Sequence, residues 1–184
     1  MEIKGTETER NLQAALTGES LARNRYSFFA MAARKAGQEK IADALERMAS
    51  NEMMHAKFWY ERLYGAPTDT VENLKAAAAG ELAEWHTMYP AFAKQATADG
   101  LPQLAVMFEH VAAIEQEHER QFMSLLAELL SAGKQETAAP VAPAEKTVHE
   151  GYRCMFCGAV FDTRPDTCDV CQAIGSFEPY RYEA

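Results

Sequence analysis

The sequence predicts an all-α domain, a four-helix bundle, followed by a small β/loop domain that a metal ion holds together. Three observations predict this class. Residues 1–133 are rich in helix-forming residues, with glycine or proline at only a few points. Glutamate and histidine recur at helical spacing within the apolar stripes of those helices. All four cysteines stand near the end of the chain, in two C-x-x-C pairs.

Composition limits the class of function. A chain of 184 residues with 48% hydrophobic residues can form one ordinary domain and a small appendage. The net charge of −9 has the wrong sign for nonspecific binding to nucleic-acid phosphates. The N-terminal segment MEIKGTETER lacks an apolar signal-peptide core, and charged residues interrupt the longest apolar run. We therefore expect a cytoplasmic protein with no nucleic-acid or membrane partner.

Two helices are predicted before residue 66. Helix A is expected to begin after Thr6, which forms a capping box with Glu9, and to stop at Gly37. Helix B then runs to Gly65. The two helices therefore pair across a short turn.

Two further helices follow. Helix C is capped by Asp69 or Thr70, runs towards Gly100 and should kink at Pro90, which removes one backbone hydrogen bond. Helix D has Pro102 in its first turn, where proline is favoured. It is expected to end at Gly133, a residue typical of helix C-termini.

The composition changes after helix D. KQETAAPVAPAEKTVHE, residues 134–150, is a polar segment rich in proline and alanine, expected to be extended and mobile. The predicted domains are residues 1–134 for the bundle, 135–149 for the linker and 150–184 for the metal domain. A final domain of this length cannot fold on a hydrophobic core alone. We therefore expect a metal ion to stabilise it.

The stretch CMFCGAVFDTRPDTCDVC, residues 154–171, supplies the ligands for that ion. In a reducing compartment, two C-x-x-C pairs favour thiolate ligation of one metal over disulfides. Iron and zinc both accept four thiolates. The predicted ligands are Cys154, Cys157, Cys168 and Cys171.

Glutamate and histidine also stand where the helices should be apolar. Helix B carries Glu52 and His55, and helix D carries Glu115 and His118, each pair as Glu-x-x-His in the middle of an apolar stripe. This i, i+3 spacing places a carboxylate beside an imidazole, one turn apart. A lone Glu-x-x-His is most often a pair of solvated surface residues. Two such pairs, each in the middle of an apolar stripe, favour metal binding instead. His86, His110 and His149 do not belong to such a pair.

The other two helices add mid-helix glutamates on their apolar faces, Glu19 on helix A and Glu81 with Glu84 on helix C. Burying one unpaired carboxylate costs several kcal/mol, so this layer requires cations. Two ions bridged by carboxylates satisfy that requirement. This is the arrangement of ferritin-like di-iron or di-manganese bundles.

The sequence resembles the rubrerythrins over nearly the whole chain. The resemblance implies a ferritin-like di-iron bundle fused to a rubredoxin-like domain with one iron, and an activity that reduces hydrogen peroxide to water. It implies electrons from an external donor, such as a rubredoxin or an NAD(P)H-dependent reductase. The segments that carry it are GESLARNRY (18–26), NEMMHAKF (51–58), AAGELAEWHTMYP (78–90), IEQEHERQF (114–122) and the cysteine knuckles.

The resemblance also implies residue roles. One iron moves between Glu84 in the oxidised state and His55 in the reduced state, and Tyr26 and Tyr89 hydrogen-bond the ligands. The second knuckle, CDVCQ, lacks the proline and glycine usual in rubredoxin, so zinc remains an alternative to iron there. The implied ligands of the di-iron site are Glu19, Glu52, His55, Glu81, Glu84, Glu115 and His118.

Two alternatives to the peroxidase remain open. A ferroxidase or iron-handling protein of the same fold would react with O2 rather than with peroxide. A non-catalytic electron carrier or zinc-stapled interaction protein would hold zinc at the cysteines, or no metal in the bundle.

The connection between helices B and C predicts a homodimer. In ferritin-like bundles these helices run parallel, so their connection must travel the bundle's length, about 40 Å for 27 residues. The stretch from Gly65 to about Thr70 reaches only about 20 Å. Either helix C turns back in a simple up-down bundle without the family's site geometry, or helices A and B of one chain pack with helices C and D of its partner. We expect the exchange because all seven ligand positions match the family.

Overall fold

A computed structural model describes residues 3–132, 148–155, 157–170 and 173–183. The chain divides into two compact units, Met1–Thr68 and Asp69–Ala184. Most of the predicted linker, the expected helix end at Gly133 and the ligand Cys171 lie outside the described residues. The predicted class is confirmed, since long helices precede a small three-stranded sheet.

The first unit is a pair of helices, α1 (Glu7–Lys35) and α2 (Glu39–Tyr64). The predicted cap of α1 is present, because the Thr6 hydroxyl accepts a hydrogen bond from the Glu9 amide at 3.1 Å. Gly37 forms the turn with a φ of 73°, a conformation that favours glycine. The buried residues of both helices are alanines, so the helices pack closely near this turn.

The second unit begins with a helix in three parts and continues with one long helix. Asp69 caps the first part by accepting a hydrogen bond from the Glu72 amide at 2.9 Å. Both small and large side chains pack between these helices, including Ala93, Ala105 and Phe108. The elements are α3 (Thr70–Ala83), a π-helical segment (Glu84–Met88), α4 (Tyr89–Ala98) and α5 (Pro102–Ala132).

The irregularity expected at Pro90 takes the form of this π-helical segment. The segment ends two residues before Pro90, and the Tyr89 amide donates to the Glu84 carbonyl, five residues back. A π turn places one extra residue in the helix, so the side chains before and after it are rotated relative to a regular helix. The rotation about the helix axis between the Glu81 and Glu84 side chains therefore differs from that in a regular α-helix.

The C-terminal part of this unit is an antiparallel sheet with the strand order β2-β1-β3. The strands are β1 (Val148–Cys154), β2 (Val160–Phe161) and β3 (Phe177–Glu183). Gly151 of β1 lies so close to β2 that an added Cβ would be 2.6 Å from the Phe161 carbonyl oxygen. A side chain at this position would therefore separate the two strands.

Many large apolar side chains of the helices remain exposed. Phe28 and Phe29 of α1 are 62% and 53% exposed, and Met107 of α5 is 54% exposed. In the part of the chain that the structure describes, no helix is both long and apolar enough to cross a membrane.

Candidate metal centres

The first cluster of metal-binding side chains lies between α1 and α2. Glu19 comes from α1, and Glu52 and His55 come from consecutive turns of α2; their ligand atoms all lie within 4.8 Å of one another. The Nδ1 atom of His55 is 2.7 Å from the Glu52 carboxylate and 3.9 Å from that of Glu19. Three donors from two helices thus converge on one point.

The second cluster repeats this arrangement between α3 and α5. Glu81 comes from α3, and Glu115 and His118 come from α5. The Nδ1 atom of His118 is 2.6 Å from the Glu115 carboxylate and 3.8 Å from that of Glu81. Each cluster therefore contains one Glu-x-x-His pair and one glutamate from the neighbouring helix, with nearly equal distances.

The donor chemistry of both clusters fits iron. Carboxylate oxygen and imidazole nitrogen are the ligands of non-haem iron, and carboxylates can bridge two ions. Burial, together with the charge of Glu115, raises the pKa of Glu81, although His118 opposes this change. A bound cation would reverse that unfavourable crowding of negative charge. The side chains of Glu52 and Glu115 are only 19% and 15% exposed.

The remaining predicted residues of the bundle lie outside these clusters. Glu84 is half-buried on the π-helical segment, and its ligand atoms do not belong to the group formed by α3 and α5. Burial raises the pKa of Tyr89, and the charges of Glu84, Glu115 and Glu81 raise it further. Tyr26 is half-buried on α1. Their roles remain predictions.

The cysteines form a third cluster at one end of the sheet. The Sγ atoms of Cys154, Cys157 and Cys168 lie within 4.8 Å of one another, and Cys154 and Cys168 are buried. The 3.6 Å between the Sγ atoms of Cys157 and Cys168 is too long for a disulfide bond. These three thiols therefore have the spacing of ligands to one metal ion.

The two cysteine loops share a backbone pattern despite their different sequences. The Cys154 amide donates to the Ala159 carbonyl at 2.8 Å, and the Cys168 amide donates to the Ala173 carbonyl at the same distance. Gly158 supports the first loop with a φ of 80°. The second loop thus makes the same backbone hydrogen bond as the first, although its sequence lacks the usual Pro-x-Cys-Gly.

The sequence alone does not predict the residues that join α5 to the sheet. Tyr180 donates a hydrogen bond to Glu117 at 2.8 Å, and Arg153 donates one to Gln121 at 3.2 Å. Trp85 also donates to Glu119 at 2.7 Å. Polar residues between Glu115 and Phe122 resemble an ordinary solvated helix face, so the sequence gives no signal of these contacts.

The sequence is similar to proteins of one family over most of its length. The family model described as rubrerythrin matches residues 10–70 and 72–151. The chain is 37% identical to a rubrerythrin of Porphyromonas gingivalis, covering 97% of this chain and 92% of the relative. It is 34% identical to a rubrerythrin of Nitratidesulfovibrio vulgaris, with 92% and 91% covered. A solved structure of fully reduced, all-ferrous nigerythrin is 27% identical, with a TM-score of 0.40, covering 94% of this chain and 86% of that chain.

Proposed function

The chain belongs to the rubrerythrin family, and on that premise we propose that it is a non-haem di-iron peroxidase that reduces hydrogen peroxide to water and protects against oxidative stress. Proteins of this family are di-iron proteins with a ferritin-like fold. The small sheet with its cysteine cluster fits a rubredoxin-like domain.

The observation that carries the proposal is the pair of matching half-sites. In one, His55 lies 2.7 Å from Glu52, and in the other, His118 lies 2.6 Å from Glu115. Each half-site offers three donors, too few for an ion that prefers a higher coordination number. Two half-sites facing each other provide the bridged donor set of a di-iron centre.

The proposed ligands divide into a constant set and an exchanging pair. His55, whose side chain is half-exposed, would replace Glu84 as a ligand in the reduced state. When bound, two ferrous ions supply two electrons which, with two protons, convert one peroxide molecule into two water molecules. Tyr26 and Tyr89 orient the ligand carboxylates. The constant ligands are Glu19, Glu52, Glu81, Glu115 and His118.

We assign electron entry to the cysteine cluster. Cys154, Cys157, Cys168 and Cys171 would hold one iron, which would supply electrons to the bundle one at a time. The electrons come from an external donor in the cytoplasm, such as a rubredoxin or an NAD(P)H-dependent reductase. Iron is required for this task because zinc has no redox chemistry.

We further propose a homodimer in which helix pairs are exchanged. The connection between α2 and α3 consists of residues 65–69, which reach about 20 Å when extended. Helix α2 has 26 residues, so a parallel α3 would require a crossover of about 39 Å. The helix pair of one chain is therefore completed by α3, α4 and α5 of a second chain.

The exposed apolar residues support this exchange. Phe28 of α1, Phe58 of α2 and Met107 of α5 are each more than half exposed. Pairs of helices cannot bury such stripes alone and need a second layer. The second copy supplies both the apolar cover and the missing half of each metal site.

Anaerobic stopped-flow spectroscopy tests the proposed reaction. Chemically reduced protein should be oxidised much faster by hydrogen peroxide than by O2. A faster reaction with O2, accompanied by iron uptake beyond the bound ions, would favour the ferroxidase instead. Zinc at the cysteines would favour a structural role for that domain.

A further inference from the structure

An apolar contact seats the C-terminal sheet on α5. Ile114 of α5 is buried in one cluster with Cys154, Cys168 and Phe177 of the cysteine domain. The side chain of this helical residue thus belongs to the core around the thiols. Ile114 directly precedes the Glu115 ligand, so the seat lies next to the second half-site.

The first cysteine loop also approaches a predicted ligand closely. An added Cβ on Gly158 would lie 2.8 Å from Nε2 of His118 and 3.3 Å from Ile114. The opposite ring nitrogen, Nδ1, faces Glu115. His118 therefore lies between the metal half-site and the residue that follows Cys157.

Polar contacts also join the C-terminal sheet to α5. Tyr180 of β3 donates to Glu117 at 2.8 Å, and the Glu117 side chain is only 17% exposed. Arg153 of β1 donates to Gln121 at 3.2 Å and to Glu178 at 2.6 Å. Its guanidinium also lies 4.7 Å from the centre of the Tyr180 ring. Burial and the bond to Glu117 raise the pKa of Tyr180 to about 12, so the phenol keeps its donor proton at neutral pH.

We propose that Glu117, Gln121, Arg153 and Tyr180 are positioning residues that lock the cysteine domain onto α5 of its own chain, with Gly158 against His118. This inference rests on the proposed function. Cys154, Cys157 and Cys168 would hold an iron that supplies one electron at a time, and the lock would keep these cysteines beside His118. Two electrons from the external donor would be needed after each peroxide molecule.

The physical reason for the lock is distance. Electron transfer slows steeply as the gap between two centres widens, and a tethered domain that drifts would spend little time in contact. A hydrogen bond that involves a charged group raises the ratio of docked to undocked domain by about tenfold or more. Tyr180 and Arg153 contact each other, so their two bonds are not additive, and together they favour the docked domain by about tenfold or more.

The test compares three full-length, iron-loaded proteins. The double variant Tyr180→Phe, Arg153→Ala removes both of these hydrogen bonds to α5 but leaves the apolar contact at Ile114 and every proposed ligand in place. The control is Arg181→Ala, because Arg181 forms an exposed ion pair with Glu150 within the sheet. Small-angle scattering measures whether the domain is released, and stopped-flow kinetics measures peroxide oxidation and re-reduction of the bundle separately.

Released domains should increase the radius of gyration of the double variant only. Its oxidation by peroxide should match wild type, while re-reduction through the cysteine site slows by about tenfold or more. Unchanged scattering, or wild-type re-reduction with a released domain, would overturn the lock. If wild-type protein does not react with peroxide, the proposed function fails, whereas the scattering comparison still decides whether the domain is locked.

Discussion

Lengthening the connection between α2 and α3 should convert the proposed exchanged dimer into a monomer. Residues 65–69 cannot make a crossover of about 39 Å, the length of the 26-residue helix α2. An insertion of about 12 glycine and serine residues after Gly65 adds about 40 Å of reach. The longer loop costs only about 0.6 kcal/mol of closure entropy for each doubling of its length.

Mass action then favours the monomer. With a loop that spans the distance, the helix pairs of one chain meet at an effective concentration in the millimolar range, about a thousandfold above micromolar protein. Light scattering with iron quantitation should show a dimer for wild type and an iron-containing monomer for the insertion variant. The same insertion after Gly100, between α4 and α5, should leave the dimer intact. A monomeric, iron-loaded wild type, or an insertion variant that stays dimeric, would show that the short connection does not cause an exchange of helix pairs.

Four substitutions test individual residues. Cys154→Ser should abolish reductase-linked turnover but keep one fast peroxide reaction of chemically reduced protein; full turnover would contradict electron entry at the cysteines. Glu115→Ala should weaken iron binding by about a hundredfold or more, whereas His55→Ala should keep oxidised iron and slow the peroxide reaction; equal iron loss would exclude the exchange of ligands. Thr6→Ala should cost about 1 kcal/mol and lower the unfolding temperature, with Thr8→Ala as control; equal changes would exclude the cap.

The helical elements could be predicted because their signals are local. Thr6 and Asp69 are capping residues, and the first two helices end where Gly37 and Gly65 were expected to stop them. The Glu-x-x-His pairs could be predicted because a carboxylate inside an apolar stripe conflicts with helical periodicity. These features depend only on neighbouring residues.

Other features depend on packing that the sequence does not encode locally. Pro90 predicted an irregular helix, but the same residues suit an α or a π turn, so the position of Glu84 could not be deduced. The seat on α5 depends on Tyr180 and Glu117, which are 63 residues apart. Neither residue has a motif that distinguishes it from an exposed polar side chain.

A peroxide titration of fully reduced protein tests whether electrons pass from the cysteine site to the bundle. Three ferrous ions per chain hold three electrons, and each peroxide molecule takes two. About 1.5 peroxide molecules should therefore be consumed per chain. The thiolate-to-iron absorption of the cysteine site, bleached by reduction, should return in the same titration. Consumption of about one peroxide per chain with no return of that absorption would contradict electron transfer from the cysteine site to the bundle.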